Sequence, residues 1–220
     1  MLWFYTSIVD IVFVCFVCSV FFLKQKNAGW YRHFIWFLGL SFLVELAGYL
    51  CFFIYHTKNH YIFKFFMPVE AIFSFWAMAH IFKNLIRNTA LLFWVVTGSF
   101  IGCYIIEVLS IQFTEYSSIS SDVLSFAVII LCLLYYYLFL KQETYTNLWQ
   151  HADFWVLTGF FLFYFVITAS NYFFKHVSGI NQKSIIPLRF SILIVINLIL
   201  YGCWTYAFLC RKRKTISASY

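Results

Sequence analysis

The chain has 220 residues, 64% apolar, 10% charged and 25% aromatic, with a mean hydropathy of +0.85 and a formal net charge of +7. No soluble domain of that length can hide so much apolar surface, so a water-soluble globular fold is excluded and a bilayer must be the solvent. The positive charge is not read as nucleic-acid binding, because Arg211, Lys212, Arg213 and Lys214 sit together directly after an apolar run, where they suit anionic lipid headgroups or a cytoplasmic docking partner.

A helix crosses about 30 Å of hydrocarbon with about 20 residues. Seven apolar runs have that length: 3–23, 34–55, 61–82, 90–110, 120–140, 154–174 and 186–209. The chain is therefore expected to be all-α, a single seven-helix transmembrane bundle over residues 1–220. The first run opens as MLWFYTSIVD, without a basic region or a small-residue cleavage pattern, and is expected to be a retained span. It carries Asp10, Cys15 and Cys18, and with Cys51, Cys103, Cys132, Cys203 and Cys210 these thiols are read as small hydrophobes rather than disulfides or metal ligands.

Ser41, Glu45 and Gly48 share a face of the second run, and Glu70, Ser74 and Ala77 a face of the third. Pro68 is expected to loosen the third helix and expose a carbonyl beside Glu70. The fourth run holds Gly98 and Gly102 at GxxxG spacing, read as a close-packing device, and Glu107; the fifth holds Asp122. Tyr164, Thr168 and Asn171 line one face of the sixth. In the seventh, Pro187 falls in the first turn, Arg189 follows, and Asn197, Tyr201 and Thr205 form a stripe. The connections are short, which favours antiparallel neighbours.

Lysine and arginine counts set the expected direction. With the N-terminus outside, Lys24, Lys26, Arg32, Lys83, Arg87, Lys141 and the Arg211–Lys214 cluster are cytoplasmic, against Lys58, Lys64, Lys175, Lys183 and Arg189 outside. That bias predicts an external N-terminus and a cytoplasmic C-terminus. Glu115 and Asp122 fall outside as well. Trp3, Trp30, Tyr31, Trp149 and Tyr172 lie where interfacial belts are expected, so the aromatic content is read as anchoring.

Ionisable groups at membrane depth are costly and are the default functional candidates. Glu45, Glu70 and Asn197 come near the midplane, and with Tyr164 and Thr168 they are read as lining one polar cavity for a ligand or ion. A second layer about 10 Å further out holds Glu107, Asp122, Asn171 and Arg189, with Asp10 somewhat deeper. Arg189 there either pairs with a carboxylate or snorkels to the headgroups. Glu45 and Glu70 are read either as a carboxylate pair that holds a proton, a cation or an amine, or as protonated glue between two helices.

Several chemistries lack their residues. No lysine lies in 186–209 to carry retinal, only His80 lies well within a span as a haem ligand, and the Pro-Gln pairs of seven-helix sugar carriers are missing. GxSxG, GxGD and HExxH are absent. No cofactor and no metal are expected, and a catalytic role is left open but not preferred.

FLVELAGYL in the second run, YIFKFFMPVEAIFSF in the third, and FWVLTGFFLFYFVITASNYFF with IPLRFSILIVINLILYGCW in the last two resemble small seven-helix inner-membrane proteins of Bacteroidota-type bacteria. The resemblance covers most of the chain and carries no established activity; it implies a sensory membrane module, some members of the group accompanying signalling kinases. The expected function is thus a receptor-like or accessory sensory module that couples an external small ligand or ion to a cytoplasmic signalling partner or to further copies of itself. A proton- or cation-coupled transporter is the alternative, followed by a structural subunit of a membrane complex or a lipid-modifying enzyme.

Overall fold

The structure is a computed structural model and describes residues 2–24, 26–54, 60–83, 85–86, 88–111, 118–141, 148–177 and 182–217. Lys58, Arg87 and Glu115, which enter the charge count, lie outside the described residues. The described residues form seven α-helices: α1 Leu2–Leu23, α2 His33–Ile54, α3 His60–Phe82, α4 Thr89–Ile111, α5 Ser118–Leu140, α6 Ala152–Val177 and α7 Gln182–Ser217. Each is long and apolar enough to cross a membrane, so the chain is an all-α, multi-pass membrane protein. In hydrocarbon a helix satisfies its backbone groups internally, which is why apolar runs of this length take no other form.

Two helix limits differ from expectation. α7 begins at Gln182, which puts Pro187 in its second turn rather than its first, and it continues through Arg211, Lys212 and Arg213 to Ser217. Hydropathy marks where a helix meets water, not where it ends. Lys and Arg are good helix formers, they suit the negative end of the helix dipole, and no Gly or Pro intervenes to stop the chain.

The chain divides into two compact units, Met1–Leu46 with Tyr145–Tyr220, and Ala47–Thr144, the boundary falling within α2. In the first unit α7 packs along both α6 and α1. Its core is aromatic: the Trp204 ring lies 5.1 Å from Phe34, 5.1 Å from Phe160 and 5.7 Å from Tyr201, centroid to centroid. Gly159 of α6 makes this possible, since a Cβ there would stand 3.2 Å from the Trp204 ring atoms Cδ1 and Nε1. Between α1 and α2 a 3-10 segment, Lys26–Arg32, turns at Gly29, whose φ of 63° lies in the left-handed region open to glycine. The turn delivers Tyr31 to a 2.5 Å hydrogen bond, in which its hydroxyl donates to Asp153 Oδ1 in the first turn of α6. Arg211 stacks over the Tyr31 ring at 5.5 Å and the Lys212 ammonium sits 5.3 Å from Phe22, so the start of the basic cluster packs on ring faces at this end of the unit.

In the second unit α3 packs on α4 and α5, and α4 on α5. Phe75, Met78, Phe82, Phe100, Leu131 and Tyr135 are buried there, with Phe82 edge-on to Tyr135 at 6.0 Å.

Candidate functional site

Within the first unit, α6 and α7 form a seam that carries five of the polar candidates. At one end Arg189 Nη2 donates to Asn171 Oδ1 at 3.2 Å. Arg189, expected to pair with a carboxylate or to snorkel to the headgroups, here meets the Asn171 amide. One turn further along α6, Thr168 is buried, and its hydroxyl has no hydrogen-bond partner among the described residues; Tyr164, a further turn in, is buried as well. On α7, Asn197 Nδ2 donates to its own helix at Leu193 O, 2.7 Å, and the Thr205 hydroxyl donates to Tyr201 O at 2.8 Å. Such back-bonding satisfies a polar side chain in hydrocarbon without a neighbour. Ser41 of α2 does the same toward Phe37 O, 2.9 Å, while Glu45 beside it is half-buried.

Asp10 stands apart from the seam, exposed on α1 in a groove of about 480 Å³ between α1 and α7. Cys15, one of seven free thiols, is buried at the contact of these two helices: its Sγ lies 3.6 Å from Tyr201 O and receives the Thr205 hydroxyl at 3.5 Å.

In the second unit the polar residues gather where α3 begins, α4 ends and α5 begins. Glu107 of α4 is buried, and its carboxylate accepts Ile119 N at 3.3 Å, Ser120 N at 2.7 Å and the Ser120 hydroxyl. The first N–H groups of a helix have no partner within it, and here a neighbouring carboxylate supplies one. Glu107 is thus a capping residue for α5. Lys64 of α3, counted with the external flank in the charge tally, is 1% exposed. Pro68 lacks the N–H that would bond the carbonyl four residues back, which is that of Lys64, and the Tyr104 hydroxyl donates to this same oxygen at 3.0 Å. The carbonyl freed by Pro68 is consequently engaged rather than open beside Glu70. Glu70 is half-buried, with Ser74 and Ala77 buried along the helix; Asp122 is half-buried near the start of α5.

The pairing makes a double-mutant cycle informative. Tyr104→Phe is expected to lower stability in bicelles by about 1–2 kcal/mol, because a buried carbonyl loses its donor. In a Pro68→Ala background the residue-68 N–H reclaims that carbonyl, and the loss should fall below about 0.5 kcal/mol. Equal losses in the two backgrounds would disprove the replacement.

Of the midplane set, Glu45, Tyr164, Thr168 and Asn197 belong to the first unit and Glu70 to the second. The structure brings Asn171 and Arg189 into contact and gives Glu107 a structural task. Gly98 and Gly102, expected at a close helix contact, are both exposed, with nothing within 4 Å of a Cβ built on either. No family model, curated protein or solved structure matches the chain. It is a seven-helix membrane protein. Missed by sequence reasoning were Lys64, Tyr104 and the Tyr31–Asp153 bond; Pro68 was the one local signal, since a proline inside a span always releases a specific carbonyl four residues earlier.

Proposed function

We propose that the chain is a receptor-like sensory module of an inner, plasma-type membrane, N-terminus outside, coupling an external small ligand or ion to a cytoplasmic or membrane partner. The observation that carries this reading is α7. The helix is 36 residues and therefore about 54 Å long, well beyond the thickness of the hydrocarbon, and it runs unbroken through both the Arg189–Asn171 contact and the basic cluster. One rigid element thus links a polar seam near one end to a cationic, aromatic-backed surface at the other. A ligand that recruits the Thr168 hydroxyl, unpartnered among the described residues, and competes with Asn171 for Arg189 biases α7 against α6, and the Arg211–Arg213 end reports the shift. The sensory role is also what the resemblance of its segments to small seven-helix inner-membrane proteins of Bacteroidota-type bacteria implies.

The test uses the whole chain in lipid nanodiscs, with an environment-sensitive fluorophore at position 212. Sodium and potassium ions, protons, small amines and small carboxylic acids are each titrated. A saturable response is expected for one of these classes, with apparent affinity at least tenfold weaker in Asn171→Ala and Thr168→Val. If no class gives a response, and liposomes instead show flux that disappears in Glu45→Gln with Glu70→Gln, the chain is a carrier and the sensory reading falls.

A further inference from the structure

The groove at Asp10 lies between α1 and α7, away from the α6–α7 seam, and its chemistry does not depend on a sensory role. The span of α1 runs from Thr6 to Leu23, which places Asp10 about 7 Å from its midpoint. Half the hydrocarbon thickness is about 15 Å, so the carboxylate lies inside the apolar layer. The contacts of Cys15 with Tyr201 and Thr205 hold α1 in register with α7 and bring Asp10 near the level of Leu198. Asp10 is exposed there, and no described residue gives it a hydrogen bond or a cation. Along the groove Val14 and Leu198 are each 59% exposed. Gly202 lies between Leu198 and Tyr206 with nothing within 4 Å of a built Cβ, so the groove wall is cut back at its centre. From Leu198 to Leu209 the groove runs about 17 Å, three turns of a helix.

We infer that this groove seats a transmembrane helix of a partner protein that carries a lysine or arginine at the depth of Asp10. An ionised carboxylate in hydrocarbon is costly without a counter-charge or donors, and an acyl chain lying in the groove supplies neither. A second copy of this chain supplies no cation at that level among the described residues. Arg189 stands about 13 Å away along α7, the exposed Lys24, Arg32, Lys83, Lys141 and Arg213 lie at helix ends, and Lys64 is buried. A helix fits the length of the groove, the gap at Gly202 lets its backbone approach closely, and a basic side chain completes the pair.

The experiment reconstitutes the full chain, donor-labelled, in zwitterionic liposomes with acceptor-labelled apolar host peptides of one span. One peptide carries a single Lys about 7 Å from its midpoint on the Asp10 side, one carries none, and one has the Lys moved two turns toward the other face. Energy transfer is expected to report at least tenfold tighter association of the matched peptide than of the other two. The preference should vanish in Asp10→Asn, and Val14→Trp, which fills the groove from an exposed position, should weaken the matched peptide about tenfold. Equal association of all three peptides, or a preference that survives Asp10→Asn, overturns the inference. Self-association of the chain that depends on Asp10 and excludes the peptide assigns the groove to a second copy and overturns it as well.

Discussion

Glu107→Ala is expected to lower the unfolding free energy by about 3 kcal/mol, measured by reversible unfolding in bicelles. The carboxylate meets two backbone N–H groups and one hydroxyl at the start of α5. Each donor left bare in a buried, water-poor setting costs about 1–3 kcal/mol, and only part of that is recovered by relaxation of the helix end. Glu107→Gln retains one acceptor oxygen and is expected to lose about half as much. Ser110→Ala, one turn away on an exposed face where the hydroxyl bonds its own helix at Ile106 O, serves as the control and should change stability by less than about 0.5 kcal/mol. A Glu107→Ala loss no larger than that control would remove the capping role.

Trp204→Ala carries the second large effect, about 3–4 kcal/mol in the same assay. For a core tryptophan in water the cost is about 3–5 kcal/mol, made of a transfer term and a cavity term. In a bilayer the transfer term shrinks because lipid is as apolar as the core, while the dispersion attraction of the indole to Phe34, Phe160 and Tyr201 disappears in full. Two companion variants separate ring from polar group and fit from size. Trp204→Phe keeps an aromatic ring and removes an indole N–H that has no partner among the described residues, so it should cost less than about 1.5 kcal/mol. Gly159→Leu alone drives a side chain into the Trp204 ring and should destabilise by about 2 kcal/mol, yet in the Trp204→Ala background it fills vacated space and should restore part of the loss. Additive losses would show that Gly159 and Trp204 do not share one packing site.

The spans were legible because hydropathy sums over some twenty residues and no local conflict outweighs that sum. The limit of α7 was not, since Arg211 to Arg213 end the apolar run while favouring the helix. The task of Glu107 was not legible, because the donors come from the start of the next helix and depend on how α5 returns beside α4. The enclosure of Lys64 was not legible for a related reason: near a span end a lysine ordinarily snorkels, and only tertiary packing decides that this one is enclosed. Ser41, Asn197 and Thr205, read as members of polar stripes, bond to their own helices, a solution that spacing alone cannot reveal. Arg189 was read as pairing with a carboxylate or snorkelling to the headgroups; its bond to the Asn171 amide depends on how α6 and α7 meet, which spacing does not give.

The contact of α1 with α7 also sets a timetable for biogenesis. Cys15 and Tyr201 are separated by 186 residues, so at about 5–20 residues per second the ribosome delivers the partner of α1 some 10 to 40 s after α1 itself. Ala47–Thr144, by contrast, is one uninterrupted stretch whose helices emerge in the order in which they pack. During that interval the Cys15 face of α1 has no α7 to meet, and the insertion machinery or the lipid must shield it. α7 is the helix that closes α1.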